Sequence, residues 1–169
     1  TTKARAIVKN KVGKKVEFGF KYLIGRLGGG YLFGKPYYGN PSERSMPVKA
    51  VTEYKRIFGS DKAPEIVAYD RGGYCDNTIE TLKEQGVAQP GIQPRGKSPW
   101  PVDEAVQGLI KTLRAQIEAA IGTLKTEKYG FNLPGERKEP NLAATGIRSI
   151  LSRNLNQFMR DICKRVITG

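Results

Sequence analysis

The stretch from Val106 to Lys125 combines an apolar stripe with a row of charges, and it constrains the fold more than any other part of this sequence. At about 100° per residue its apolar side chains share one helical face, which a globular protein buries. Those side chains are Val106, Leu109, Ile110, Leu113, Ile117, Ile121 and Leu124. The charged side chains beside them, within a sector of roughly 60°, are Lys111, Arg114, Glu118 and Lys125. The pattern predicts a long core-facing helix whose edge carries one acid among three cations.

This charged edge has two interpretations. In the simpler one it is a solvated helix surface, on which Arg114 and Glu118 form an i,i+4 ion pair. In the other, Glu118 takes part in catalysis and the three cations beside it bind a polyanion. The spacing does not choose between them, so the rest of the sequence must.

The remaining elements alternate between strand and helix signals. Alternating apolar residues predict a strand over 15–24, and a returning strand covers 31–38. The glycines at 28–30 between them lack the Lys-Ser/Thr and the helix of a phosphate-binding loop, so we expect a hairpin turn. Further along, the sequence predicts a helix to Phe58, a strand over 66–68, a helix from an Asn77–Glu80 capping box to about Gln85, and a short strand within 87–94 broken by Pro90 and Gly91.

The long helix is expected to begin at Asp103-Glu104 and to end near Tyr129-Gly130, and a last helix covers 141–166. The apolar set predicted for that last helix is Leu142, Ile147, Ile150, Leu151, Leu155, Phe158, Met159 and Ile162. This order predicts a single α/β domain over residues 1–169, with a mixed sheet flanked by helices.

The charge of the chain indicates a polyanionic partner. The formal net charge is +13, and it is segregated. Residues 1–60 hold 13 Lys and Arg against 3 acids, whereas residues 61–130 hold 9 against 10. Basic flanks around a near-neutral centre favour nucleic-acid binding. A merely basic protein, or one that docks on an acidic partner, is the alternative.

Composition also excludes several kinds of site. With no histidine, Ser-His-Asp and Cys-His nucleophile systems and His-based zinc sites are excluded. Cys75 and Cys163 lack metal-ligand spacing, which favours a reduced cytoplasmic setting. The basic, apolar-poor first fifteen residues lead us to expect no signal peptide, and no apolar run of the sequence is long enough to cross a membrane. The remaining chemistry uses carboxylates, lysine, hydroxyls or a carboxylate-bound hard metal ion.

Two acids are candidates for that chemistry. Asp70 follows the strand over 66–68, and functional groups collect at the carboxyl ends of strands in open α/β sheets. Facing Glu118 of the long helix, it could share divalent metal ions that activate water or a 3′-hydroxyl and stabilise a leaving oxygen. The alternative for Asp70 is a turn or cap residue before Gly72-Gly73. Two carboxylates rarely hold two metal ions, so a further acid is expected.

At this point the residues resemble a known family. The Arg114-x3-Glu118-x6-Lys125 spacing is similar to the Tyr-x2-Arg-x3-Glu-x6-Lys signature around the catalytic glutamate of DDE transposases of bacterial and archaeal insertion sequences. Lys111 stands where that family has Tyr. Other family-like stretches are 4–7, 15–21, 67–72, 93–97 and 124–130, so the resemblance covers nearly the whole chain.

The resemblance implies an RNase H-like fold with an Asp, Asp, Glu triad that binds Mg²⁺ or Mn²⁺. Asp70 corresponds to the second acid and Glu118 to the third. The first catalytic Asp has no counterpart here, and Glu17 belongs to a hairpin motif. We therefore expect the chain to be the C-terminal part of the catalytic domain, without the N-terminal DNA-binding region and the first strand. As such a fragment it should be inactive alone but should still bind DNA.

The resemblance also implies which residues contact DNA. Arg114 and Lys125 would meet phosphates, and Lys111 would replace the family's Tyr by charge. Trp100 lies in a basic loop, and similar transposases stack an extruded base on a Trp; a partly buried packing role is the alternative. The full set of predicted DNA-binding residues is Lys111, Arg114, Lys125, Arg95, Lys97 and Trp100.

We therefore expect a transposase core that cuts element ends and joins them to target DNA. It would act as a homodimer, in the nucleoid of a prokaryotic cytoplasm. The alternatives are a non-catalytic or domesticated DNA-binding domain, a nuclease of the same fold, and a structural protein that acts through its charge alone.

Overall fold

The described part of the chain is a mixed α/β structure, which confirms the predicted fold class at that level. The computed structural model describes residues 5–11, 14–19, 21–38, 41–96, 98–133 and 139–168. Within them the strands are β1 (Arg5–Lys11), β2 (Lys14–Gly19), β3 (Lys21–Arg26), β4 (Leu32–Tyr37), β5 (Ile66–Tyr69) and β6 (Gln89–Ile92), and the helices are α1 (Met46–Phe58), α2 (Asp76–Glu84), α3 (Glu104–Leu124) and α4 (Glu139–Thr168). None of these helices is long and apolar enough to span a bilayer.

The described strands pair in twos instead of forming the one mixed sheet that was expected. β1 pairs with β2 and β3 with β4, both antiparallel, whereas β5 and β6 are parallel. Each antiparallel pair joins strands that are neighbours in sequence, and the parallel pair needs α2 as its crossover. Both pairing senses of a mixed sheet are thus present, but in separate pairs.

The residues divide into two compact units. One is Pro41–Glu118, and the other consists of Thr1–Asn40 with Ala119–Gly169. The boundary falls within α3, which therefore contributes residues to each unit.

The unit Pro41–Glu118 is built around the parallel pair β5–β6. Its buried core is formed by Val51, Leu82, Val87 and Ile92. Gly91 of β6 lets α3 approach closely, because a Cβ at this position would lie 2.7 Å from Ile110 Cγ1 and 3.0 Å from the carbonyl oxygen of Val67. The strand continues through Pro90 and Gly91, which were expected to break it.

In the other unit, α4 packs on the β3–β4 hairpin. The hairpin closes through the glycine run, where Leu27 N–H donates to the Tyr31 carbonyl at 2.8 Å and Gly30 has a φ of 87°. This confirms the predicted turn. From α4, the Asn154 amide donates to the Leu32 carbonyl at 2.7 Å and accepts from Leu32 N–H at 2.8 Å. The Asn154 side chain thus bonds both backbone groups of Leu32 and links β4 to α4.

Most of the apolar side chains of α4 lie on its exposed surface. Of its predicted apolar set, Ile150 is buried and Leu142 is half-buried. The exposed members are Ile147, Leu151, Leu155, Phe158, Met159 and Ile162. Polar contacts decide the orientation, because Asn154 bonds to Leu32 and Asp161 accepts from the Tyr31 hydroxyl at 2.9 Å.

Several predicted element ends also differ from the structure. The strand expected over 15–24 is present as β2 and β3, and residue 20 between them lies outside the described residues. α2 begins at Asp76 with Cys75 at its N-cap and no side-chain cap, so the predicted Asn77–Glu80 capping box was wrong. α3 ends at Leu124, five residues early, because the chain turns there: Phe131 N–H donates to the Leu124 carbonyl, and Gly130 has a φ of 65°.

Candidate active site

Asp70 lies at the carboxyl end of a strand, as the sequence predicts. β5 ends at Tyr69, and Asp70 continues in an extended conformation before a 3₁₀ turn over Arg71–Gly73. Its carboxylate Oδ1 accepts from Gly72 N–H at 2.7 Å, so the side chain caps this turn. The strand itself is half-buried rather than buried, and Asp70 is exposed to solvent. Asp70 therefore has the local cap role, and it is also accessible.

A second carboxylate, Glu43, lies beside Asp70. A Cβ added to Gly72 would lie 2.6 Å from Glu43 Oε2 and 2.8 Å from Asp70 Oδ1. The two oxygens are therefore no farther apart than the sum of these distances. Glu43 belongs to a separate 3₁₀ turn that precedes α1. No sequence signal linked it to Asp70, because the chain returns to this spot only after α1 and β5.

Both of these negative charges affect the pKa of the neighbouring Tyr69 phenol. Its ring is half-buried and packs against Gly73, where a Cβ would lie 2.5 Å from Tyr69 Cδ1. Burial raises the pKa of the Tyr69 phenol above its ordinary value, and the charges of Asp70 and Glu43 raise it further. The phenol therefore stays protonated and neutral beside the two acids over the whole physiological range.

The turn after Asp70 is held from the neighbouring strand end. Arg71 Nε donates to Gln93 Oε1 at 2.9 Å. Arg95 Nε donates to the Arg71 carbonyl at 3.1 Å, and Arg95 Nη2 donates to the Gly72 carbonyl at 3.2 Å. Arg95 was predicted to bind DNA, but two of its guanidinium N–H groups donate to backbone carbonyls of this turn. Lys97, predicted with it, lies outside the described residues.

The charged edge of α3 is exposed, and it contains the ion pair of the simpler interpretation. Arg114 Nη2 lies 3.8 Å from Glu118 Oε1, with Glu118 70% exposed and Arg114 29% exposed. So long a contact between solvated groups contributes little stability. Lys111 is exposed on the same helix, and Lys125 follows the last helical residue, where its N–H donates to the Ile121 carbonyl at 3.2 Å. Glu118 thus keeps most of its carboxylate in solvent, where a cation could reach it.

The apolar stripe of α3 is buried only in part. Ile110 and Leu124 are buried, whereas Leu109 is 43% exposed and the other four are half-buried. Ile110 is the residue that meets Gly91 of β6. The close contact between these two residues fixes the part of α3 that leads to Arg114 and Glu118.

Trp100 lines a groove of about 230 Å³ in the unit Pro41–Glu118. Tyr74, Ile79, Lys83 and Pro90 line it too. Trp100 is half-buried, and its carbonyl accepts from Val102 N–H at 2.8 Å. The indole thus combines packing with an accessible surface, so both interpretations given for this residue remain open.

Among the described residues, no cluster of three or more acidic or thiol side chains forms a ready metal site. The oxygen ligands at the Asp70 turn are the carboxylates of Asp70 and Glu43, which are the hard donors that Mg²⁺ and Mn²⁺ prefer. This donor chemistry suits a divalent hard cation at Asp70, and it does not suit a soft metal.

Comparisons of the chain with family models, with curated proteins and with solved structures gave no match.

Proposed function

We propose that the chain is part of the catalytic core of a DDE transposase with an RNase H-like fold. Asp70 and Glu118 are the second and third acids of its triad in this proposal. The observation that carries the proposal is the accessible carboxylate of Asp70 at the end of β5. The same unit contains the part of α3 that carries Arg114 and Glu118, and this part packs on β6 through the contact between Ile110 and Gly91. The signature spacing around Glu118 and the net charge of +13 support it from the sequence.

In this proposal Asp70 and Glu118 hold Mg²⁺ or Mn²⁺ through carboxylate oxygens. When bound, such ions would activate a water or the DNA 3′-hydroxyl as nucleophile and would stabilise the leaving oxygen of the phosphodiester. Glu43 adds negative charge beside Asp70 and so favours a divalent cation there. Arg114 offers a planar fork for a phosphate, and Lys111 offers a point charge one turn before it. These side chains would orient the scissile strand over the two acids.

The proposal includes the protein's partners and location. DNA is the substrate, both as element ends and as target. Two copies act together on paired ends, in the nucleoid of a prokaryotic cell. The basic flanks of the chain support the DNA partner by counterion release.

The test uses the product of the complete reading frame and a plasmid that carries the DNA flanking it. We expect Mg²⁺-dependent strand cleavage, and a loss of about 100-fold or more in Asp70→Asn and in Glu118→Gln with DNA affinity retained. Glu104→Gln is the matched control, because Glu104 is an exposed acid on the same helix α3. Undiminished cleavage by Glu118→Gln would contradict the proposal. Strand joining to a target plasmid separates a transposase from a nuclease of the same fold.

A DNA-binding domain without chemistry is the second candidate. It is favoured by the local partners of the two acids, since Asp70 caps its own turn and Glu118 pairs with Arg114. This candidate predicts DNA binding that depends steeply on salt and is indifferent to Asp70→Asn and to Mg²⁺. A reading frame with no Asp-bearing strand upstream of Thr1 would also favour it.

A further inference from the structure

We propose that Arg95 is a positioning residue for Asp70, which it orients through the backbone of the turn between them. Because its importance depends on a metal ion at Asp70, the inference rests on the proposed function. It assigns Arg95 a role different from the DNA contact expected from the sequence.

One peptide unit, the link between Arg71 and Gly72, connects Arg95 to Asp70. Its carbonyl accepts from Arg95 Nε at 3.1 Å, and its N–H donates to Asp70 Oδ1 at 2.7 Å. A peptide unit is planar and trans, so its carbonyl and N–H point in opposite directions. Holding the carbonyl therefore also aims the N–H at the Asp70 carboxylate.

A second hydrogen bond fixes the next peptide unit. Arg95 Nη2 donates to the Gly72 carbonyl at 3.2 Å. The turn's own backbone hydrogen bonds are long, from Gly73 N–H to the Asp70 carbonyl at 3.2 Å and from Tyr74 N–H to the Arg71 carbonyl at 3.3 Å. Because Gly72 is also conformationally permissive, the guanidinium adds restraint to a turn that is otherwise weakly held. With both carbonyls held by one planar guanidinium, the turn has a defined geometry before any ligand arrives.

The strand pairing brings Arg95 within reach of this turn. β5 and β6 are parallel, and Tyr69 pairs with Ile92 at their carboxyl ends. Asp70 follows Tyr69, while Gln93 and Arg95 follow Ile92, so the two chain segments leave the sheet side by side. Gln93 adds a third link by accepting from Arg71 Nε at 2.9 Å. The arrangement is thus a product of the fold and not of one flexible side chain.

The chemistry requires arginine rather than a positive charge alone. Nε and Nη2 belong to one rigid fork and donate in parallel to two successive carbonyls, a geometry that the single ammonium of lysine does not reproduce. Arg95→Lys therefore keeps the charge and removes the paired contact. Arg95→Gln removes both, and Arg148→Gln is the matched control, an exposed arginine on α4.

The first measurement needs no metal ion. Amide hydrogen exchange of Gly72 and Gly73, followed by NMR in the present chain, reports how firmly the turn is held. We expect exchange about three- to tenfold faster in both Arg95 variants, from the loss of two hydrogen bonds, and no change in Arg148→Gln. Unchanged exchange in Arg95→Lys would overturn the inference.

The second measurement is Mn²⁺ affinity, by titration of the same variants. Removing a cation beside a metal site should by charge alone strengthen Mn²⁺ binding, whereas loss of positioning should weaken it. We expect Arg95→Gln to bind Mn²⁺ several-fold more weakly, and tighter binding would overturn the inference. If the wild-type chain and Asp70→Asn bind Mn²⁺ equally, the proposed function fails at Asp70, while the exchange data still decide whether Arg95 holds the turn.

Duplex DNA binding supplies the last control. A residue that serves mainly as a phosphate contact would lose affinity in Arg95→Gln and keep it in Arg95→Lys, with the Gly72 amide unaffected in both. A positioning role instead predicts faster Gly72 exchange in both variants; a fall in DNA affinity confined to Arg95→Gln, with the Gly72 amide unaffected in both, would overturn the inference.

Discussion

Glu43 and Asp70 approach one another across Gly72, although one precedes α1 and the other follows β5. The missing Cβ of Gly72 leaves the space that both carboxylates occupy, at 2.6 Å and 2.8 Å from its position. Two acids at one accessible turn repel each other in water, and a divalent cation relieves that repulsion. The glycine therefore matters for the charge distribution at the candidate site as well as for its backbone.

Alanine at Gly72 and at Gly73 should have different consequences. At Gly72 the added methyl meets the free ends of two exposed side chains, which can move, so we expect a stability loss of about 1 kcal/mol or less together with weaker Mn²⁺ binding. At Gly73 it meets the Tyr69 ring and Pro47 Cγ, at 2.5 and 2.8 Å, in packed surroundings. There we expect a loss of about 1–3 kcal/mol in the free energy of unfolding, measured by urea denaturation. Equal losses at both positions would contradict this account.

The contact between Gly91 and Ile110 predicts an overpacking effect with a rescue. Gly91→Ala places a methyl group 2.7 Å from Ile110 Cγ1, against a side chain that is only 1% exposed. We expect a loss of about 1–3 kcal/mol in the free energy of unfolding. Ile110→Ala removes both Cγ1 and Cδ1, the atoms that the added methyl group would meet at 2.7 and 2.8 Å, so the double variant should be more stable than the sum of the two single effects. Strict additivity would show that the two residues do not share this contact.

Local sequence patterns predicted the elements well because each pattern and its structural cause involve neighbouring residues. The glycine run predicts the β3–β4 turn, and the short apolar run before Asp70 predicts β5. The capping-box spacing at Asn77 was misleading, since the helix begins one residue earlier without a side-chain cap. Such competition at helix ends is decided by tertiary contacts that the local pattern does not contain.

The sequence patterns did not predict contacts between residues that are far apart along the chain. Nothing in the pattern links Glu43 to Asp70, or Arg95 to the carbonyls of Arg71 and Gly72. The sequence also made no prediction of the orientation of α4, because hydrophobic periodicity marks an apolar face without saying what covers it. The helix is instead seated on the hairpin by Asn154, whose amide pairs with Leu32.

Stability should fall as the solution becomes strongly alkaline, in part because of Tyr22. Burial, with a smaller effect of the neighbouring Tyr38, raises the pKa of Tyr22 to about 12 from an ordinary value near 10. Between these values the unfolded chain has lost the phenol proton and the folded chain retains it, so unfolding releases a proton and becomes easier as the pH rises. The contribution of Tyr22 is fully present below pH 10 and is lost by about pH 12.

Tyr22→Phe isolates this contribution, since it keeps the edge-to-face packing on Phe131, at a ring distance of 5.3 Å, and removes the titrating group. Urea denaturation at about pH 9 and pH 11.5 should show a smaller loss of stability in Tyr22→Phe than in wild type. A larger loss in the variant would reverse the sign and reject the explanation.

Substitution of Arg114 tests whether this residue has a structural role or a DNA-binding role. Its contact with Glu118 is long and solvated, so Arg114→Gln should change the free energy of unfolding by less than about 0.5 kcal/mol. If Arg114 neutralises a phosphate, the same variant should lower the slope of log Kd against log salt by about 0.9 for duplex DNA. Lys62→Gln, at an exposed lysine in the near-neutral centre of the chain and away from α3 in the sequence, should leave that slope unchanged. A stability loss well above 1 kcal/mol with an unaltered slope would mean that Arg114 supports α3 and does not contact DNA. The ion pair with Glu118 would then account for Arg114, and the transposase signature would lose one of its two basic residues.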